Sequence, residues 1–187
     1  MTDLLTLQRL LQELRLKGME SALERVLIKA EQQGLSMQEA LYELLLEERR
    51  HRQERSLHYR MNQAKLPFDW TLESFPFPRQ PSIDKGRVMT LSGLSFVQRG
   101  DNIVLIGEPG TGKTGLAIGL MRKALIQGYR GRFYKVQELL DEVYASLADR
   151  SNSRLLKRLS NFDVLLLDEL GYLTLNQEQM NMFFRLM

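Results

Sequence analysis

The chain has no cysteine at all. That absence removes disulfides, cysteine-ligated zinc and thiol nucleophiles from consideration, and a reducing compartment suits it. Histidine is nearly missing too. His51 and His58 have no partner cluster at metal-ligand spacing, so both read as surface residues. No apolar run is long enough to span a bilayer, and Met1-Thr2-Asp3-Leu4-Leu5 lacks the basic start and continuous apolar stretch of a signal peptide. The resulting expectation is a cytoplasmic protein without membrane contact. Neither charge sign dominates. The 26 basic and 23 acidic residues leave a net charge of +3 and a pI near 9.2. So mild an excess permits a polyanionic partner without demanding one. The remaining composition, 43% hydrophobic and 26% charged over 187 residues, is ordinary for one globular domain plus a small appendage.

Proline is scarce and clustered. Apart from Pro109, every proline (Pro67, Pro76, Pro78, Pro81) falls between Leu66 and Pro81, interleaved with Phe68, Trp70, Phe75 and Phe77. Proline lacks a backbone donor and biases its predecessor towards extended conformations, whereas a disordered linker would rarely carry so many rings. Residues 66–81 are therefore expected to form an ordered connector that packs its aromatics against the next domain.

Before the connector, residues 1–65 read as an all-helical region. Leu4, Leu7, Leu10, Leu11 and Leu14 recur at helical spacing, with Gly18 placed as a stop. A second helix is expected from about Met19 to Gln33, closed by Gly34. Ser36 and Glu39 form a capping-box pattern that opens a third, with Leu41, Leu44 and Leu45 as its stripe. After the connector, residues 82–187 alternate helix and strand, the signature of an α/β layer fold. The pattern predicts a short helix (Ile83, Val88, Leu91), a strand over 102–107 and a helix to about Gln127 ended by Gly128. A strand over Arg132–Val136 comes next, then helices carrying Leu139, Leu140, Val143 and Leu147, and Leu155, Leu156 and Leu159. The strand after them, Val164–Asp168, is apolar until its end, as a strand covered on both faces should be. A last helix, capped by Asn176 with Gln179, is expected to run to Met187, with Met180, Met182 and Met187 as core or interface filler.

Gly107-Glu108-Pro109-Gly110-Thr111-Gly112-Lys113-Thr114 satisfies the P-loop pattern between an apolar run (Ile103-Val104-Leu105-Ile106) and an amphipathic one (Leu116, Ala117, Leu120). Glycines at such positions admit positive φ, so consecutive amides point inward at phosphate oxygens, and a helix beginning at Lys113 adds the positive end of its dipole. Lys113 is placed for the β- and γ-phosphates, and the Thr114 hydroxyl for Mg2+. Asp168 and Glu169 close a buried strand, where burial disfavours their charge unless a cation compensates. A magnesium ion beside Thr114 would supply that cation. Asp168 then serves as metal contact, and Glu169 as the group that polarises the attacking water.

A charged stretch from Glu47 into Arg60 and Lys65 offers Arg49, Arg50, Arg52, Arg55, Arg60 and Lys65 as contacts to a DNA backbone, which needs clustered cations but no fixed geometry. Glu48 and Arg52 are also spaced for an ordinary surface ion pair, as are Glu54 and His58. A solvated helix face therefore fits this stretch at least as well.

Leu14-Arg15-Leu16-Lys17-Gly18-Met19, Leu72-Glu73-Ser74-Phe75, the P-loop and Leu167-Asp168-Glu169-Leu170-Gly171-Tyr172-Leu173 together resemble IstB-type ATPases, the helper proteins of bacterial insertion sequences. Replicative helicase loaders of the DnaC type share their core. The resemblance implies an α/β AAA+ ATPase that binds ATP and Mg2+, assembles on DNA as an ATP-dependent homo-oligomer and stimulates a partner transposase. A helicase loader and a non-catalytic DNA- or partner-binding adaptor are the alternatives. Two departures accompany it. Gly115 stands where the family usually has histidine, and family members continue past residue 187 with two more strands, a sensor residue, an arginine finger and a lid. In the strand order the family implies, 5-1-4-3-2, the strand between the P-loop strand and the Asp168 strand is one of those. Without it both neighbours are expected to leave backbone groups unpaired, at about 1–3 kcal/mol for each one buried. The expectation for 187 residues alone is weak nucleotide binding, poor folding and slow hydrolysis.

Overall fold

A computed structural model describes residues 3–148 and 151–172. Packing divides the chain into two compact units, Met1–Tyr59 and Arg60–Met187.

In the first unit, Asp3 opens α1 (Leu4–Glu13) by accepting from the Thr6 amide at 2.9 Å. Gly18 does not stop this helix, contrary to its position in the sequence pattern. The chain turns at Arg15, which takes a left-handed φ of 58°. Gly18 lies instead in the first turn of α2 (Lys17–Gln33). The physical reason is close approach to α3 (Met37–Ala64): a Cβ on Gly18 would sit 2.6 Å from the Glu47 carbonyl oxygen and the Glu48 Cα. The Leu16 side chain caps nothing, so the first amides of α2 find their acceptor on the neighbouring helix. Glu48, only 6% exposed, accepts from Gly18 N at 2.8 Å and Met19 N at 3.3 Å, and Arg52 Nε donates to its other oxygen at 2.6 Å. Gly34 closes α2 in the left-handed region. Ser36 and Glu39 cap α3 reciprocally: Ser36 N donates to Glu39 Oε2 at 2.8 Å, and Glu39 N to Ser36 Oγ at 3.2 Å. Met19, Ala22, Leu23, Val26 and Leu44 form the core of this unit.

The second unit includes the last turn of α3 and the connector, whose prolines frame a 3-10 turn at Phe77–Arg79. Leu72 is buried with Val88, Leu116 and Leu120, and Phe75 and Phe77 pack against that cluster. Two short helices follow, α4 (Lys85–Leu91), capped by Asp84, and α5 (Ser95–Arg99), which the sequence pattern did not separate. Then come α6 (Lys113–Ile126), β1 (Gly131–Lys135), α7 (Val136–Ala148), α8 (Asn152–Leu159), β2 (Val164–Asp168) and a 3-10 turn, Leu170–Tyr172. Val136 starts α7 rather than ending the strand before it.

β1 and β2 are parallel neighbours, in register from Gly131↔Val164 to Lys135↔Asp168. Alternation along the strands builds two cores. Phe133 and Leu166, with Val164 beside them, pack against Ile118, Met121 and Leu125 of α6. Tyr134, Leu165 and Leu167 pack with Leu139 and Val143 of α7 and Leu155 and Leu159 of α8. The sheet is thus covered by helices on both faces, an α/β sandwich of layers.

The expected strand over 102–107 is the main departure. This run joins no ladder among the described residues, and Val104 and Ile106 are 65% and 90% exposed. An apolar run becomes a strand only when a neighbour accepts its hydrogen bonds, and the described sheet offers none there. Leu105 alone turns inward, onto the cluster beneath Leu72. Asn176, Gln179, Met180, Met182 and Met187 lie outside the described residues.

Candidate functional site

The eight residues of the P-loop pattern form a turn that passes directly into a helix. Gly110 and Gly112 hold φ of 79° and 87°, and α6 begins at Lys113. These are left-handed values that side chains with a Cβ rarely adopt, which explains the glycines on local grounds. Thr111 Oγ1 donates to the Glu108 carbonyl at 2.8 Å, tightening the turn. Gly107, Glu108, Pro109 and Gly110 are exposed. Lys113 bends back over the loop, its Nζ donating to the carbonyls of Gly107 at 2.8 Å and Glu108 at 2.9 Å. The ammonium is thus held at the first two residues of the loop. A cation there and the unpaired amides of a helix N-terminus are the chemistry that suits an anion.

The carboxyl end of β2 delivers its acids to the same place. Thr114 Oγ1 lies 3.1 Å from Asp168 Oδ2 and 3.2 Å from Oδ1, a contact between residues 54 apart in sequence. A hydroxyl and a carboxylate side by side are a hard oxygen donor pair, which suits magnesium. No group of three or more His, Cys, Asp or Glu able to cage a metal occurs among the described residues. Magnesium commonly takes only one or two protein oxygens and fills its remaining positions with water and phosphate, so the donor set fits that ion.

Glu169 follows Asp168 with a left-handed φ of 64°, unusual for a residue with a side chain. Its carboxylate is held by Lys135, from the carboxyl end of β1, at Nζ–Oε1 2.9 Å. The bond to Glu169, then the charges of Glu169, Glu138 and Asp168, raise the Lys135 pKa, so the ammonium stays charged well past neutral pH. Lys135 is a site residue that motif reading passed over. Its one sequence signal is position, at the end of a strand, because the carboxyl ends of neighbouring parallel strands converge.

The basic residues of α3 meet different fates. Arg52 is engaged by buried Glu48, and Arg50 pairs with Glu47 at 2.9 Å and Glu54 at 3.9 Å. In the second unit Arg60 Nε donates to the Leu125 carbonyl at 2.9 Å, and Lys65 follows the end of α3 with a left-handed φ of 50°. Arg49 and Arg55 are exposed. No helix of the described residues is long and apolar enough to cross a membrane.

Sequence comparison shows the family. The family model described as IstB-like ATP binding protein matches residues 9–187. This chain belongs to that family. Its relatives include the insertion sequence IS21 putative ATP-binding protein of Pseudomonas aeruginosa, 39% identical over 97% of this chain. The IS5376 putative ATP-binding protein of Geobacillus stearothermophilus is 34% identical over 81%, and the IS232 putative ATP-binding protein of Bacillus thuringiensis subsp. berliner 32% over 94%. The chain spans 68%, 61% and 70% of the lengths of these three proteins. Family membership also accounts for the architecture, a mixed α/β P-loop domain preceded in sequence by an all-helical region.

Proposed function

We propose that this chain binds ATP with magnesium in the Gly107–Thr114 loop and serves as an ATP-hydrolysing helper in DNA transposition. On this reading it assembles on DNA as a nucleotide-dependent oligomer and stimulates a partner transposase. The carrying observation is the contact of Thr114 with Asp168 at 3.1 Å, which brings two separately recognised motifs onto one pair of oxygens. The names of the relatives, all ATP-binding proteins of insertion sequences, favour transposition over replication as the setting.

Each residue's part follows from its chemistry. The amides at the start of α6 bind phosphate oxygens, and Lys113 exchanges its carbonyl partners for the β- and γ-phosphates. Thr114 and Asp168 hold magnesium, which when bound neutralises charge on the phosphates. Glu169 accepts a proton from the water that attacks the γ-phosphate, and Lys135 fixes the position of its carboxylate. The test is calorimetric titration of ATP with magnesium. The native protein should saturate, and K113A should lose at least about tenfold in affinity, the equivalent of one charge-assisted contact. Equal affinities would remove the loop from the proposal.

A further inference from the structure

The aromatic connector lies on the glycines of the phosphate loop and its helix. Gly112 is the N-cap of α6, and Gly115 and Gly119 follow at spacings of three and four, the latter two on one face of the helix. On each sits one connector side chain. A Cβ on Gly112 would meet the Phe75 ring, at 2.7 Å from Cε2 and 2.8 Å from Cζ. A Cβ on Gly115 would run into Cε3 and Cζ3 of Trp70, 2.6 Å from the latter, and one on Gly119 would lie 2.7 Å from Leu72 Cδ2. Real Cβ atoms do not approach so closely, so rings and glycines occupy complementary space. The strap is fastened on both sides. Asp69 pairs with Arg122 at 2.7 Å and Glu73 with Lys123 at 3.4 Å, both on α6. Phe68 stacks on Trp70 with centroids 5.4 Å apart, and Phe77 meets Phe75 edge-on at 4.8 Å. Thr71 and Ser74 bond each other across the turn between the two rings: Ser74 N donates to Thr71 Oγ1 at 3.1 Å, and Thr71 N to Ser74 Oγ at 3.2 Å.

We propose that Phe75 and Trp70 are positioning residues for the phosphate cradle, clamping Gly112 and the first turn of α6 in the shape that receives the nucleotide. The inference rests on the nucleotide reading of the loop and deepens it. Gly112 is the residue whose left-handed φ of 87° hands the loop over to the helix, so a ring seated on it bears directly on where the first helical amides point. Trp70 is seated on the residue immediately after Thr114. Neither ring belongs to the Gly107–Thr114 loop itself. Both act through the backbone they press on, and the same contacts run in reverse: filling the cradle shifts the strap.

Trp70, 46% exposed, is the only tryptophan in the chain, so its emission reports the strap where it meets Gly115 and Phe68. The experiment titrates ATP with magnesium into the full chain, following binding by calorimetry and Trp70 emission together. Emission should change with the same midpoint as the heat, and both midpoints should move together by at least about tenfold in K113A. G115A drives a methyl into the Trp70 ring and should weaken ATP binding about tenfold. W70L removes the first ring without a clash and should itself weaken ATP binding in calorimetry while leaving helix content, read by circular dichroism, unchanged. F75L tests the second ring without a clash and should weaken binding while leaving helix content, read by circular dichroism, unchanged. Saturating heat with flat emission, or unchanged affinity in G115A, W70L and F75L, would each overturn the clamp alone. Absence of binding by the native chain would instead overturn the nucleotide reading, and the clamp with it.

Discussion

Asp168 and Glu169 are adjacent, but their surroundings give them different tasks. Asp168 ends a strand with its carboxylate accepting from the Thr114 hydroxyl, the oxygen pair that the proposed function gives to a cation. Glu169 leaves the strand in a left-handed conformation with its carboxylate on Lys135, outside that oxygen pair. Substituting Glu169 should therefore separate binding from chemistry. E169Q should keep ATP affinity within about twofold while turnover falls by about 10²–10⁴-fold, the range for loss of a general base. Steady-state phosphate release and calorimetry on one preparation decide it. A parallel loss of both would return Glu169 to a structural role.

Two elements depend on contacts that no local pattern reveals. The N-terminus of α2 is capped from α3, and the two helices touch where Gly18 has no side chain. G18A should force them apart and lower stability by about 1–3 kcal/mol, the usual cost of overpacking. A thermal melt of the variant with an unchanged midpoint would contradict that packing. The second contact joins the strands at their starts. Arg130 N donates to Asp163 Oδ2 at 2.7 Å, its guanidinium reaches Oδ1 at 3.1 Å, and Asp163 N donates back to the Arg130 carbonyl at 2.8 Å. The bond to the Arg130 side chain, against some desolvation and aided by the Arg130 backbone and charge, lowers the Asp163 pKa below its ordinary 3.8. A carboxylate with a lowered folded pKa adds stability that is present in full above its unfolded value and is lost as pH falls through the folded one. D163N should thus be less stable than the native chain above pH 3.8, and the gap should close on further acidification. Urea melts across that range measure it, and a gap that widened in acid would reverse the sign.

At the scale of the whole molecule, the proposed contact with DNA puts the basic residues of α3 to the test. Arg50 and Arg52 are exposed but paired with Glu47, Glu54 and Glu48 inside the first unit, whereas Arg49 and Arg55 are exposed and form no ion pair among the described residues. If α3 grips a phosphate backbone, these two carry the grip. Replacing both with alanine should weaken DNA binding uniformly across sequences and reduce the salt slope of log K by about 1.8, at roughly 0.9 per phosphate contact. An unchanged slope would make this helix an ion-paired solvated face, as its glutamates already suggest by their spacing.

Features that are local or periodic could be read from the residues alone. The capping box at Ser36 and Glu39, the left-handed close at Gly34, the loop glycines and the doubly apolar strand before Asp168 are fixed by dihedral preference and alternation, and the structure has them where the residues place them. Features that need a neighbour distant in the chain were settled by the packed fold. Gly18 reads as a helix stop in isolation and is a point of close approach once α3 is beside it. The run over 102–107 is apolar enough for a strand, yet a strand is completed by another chain segment's acceptors, and propensity cannot supply those. Lys135 carries no motif and enters the site because parallel pairing sets it opposite Asp168. The Gly107–Thr114 pattern was legible because a P-loop motif sets particular residue types in fixed order. The clamp and the ion pair around it were not, because a ring or an ammonium serves wherever the fold happens to bring it.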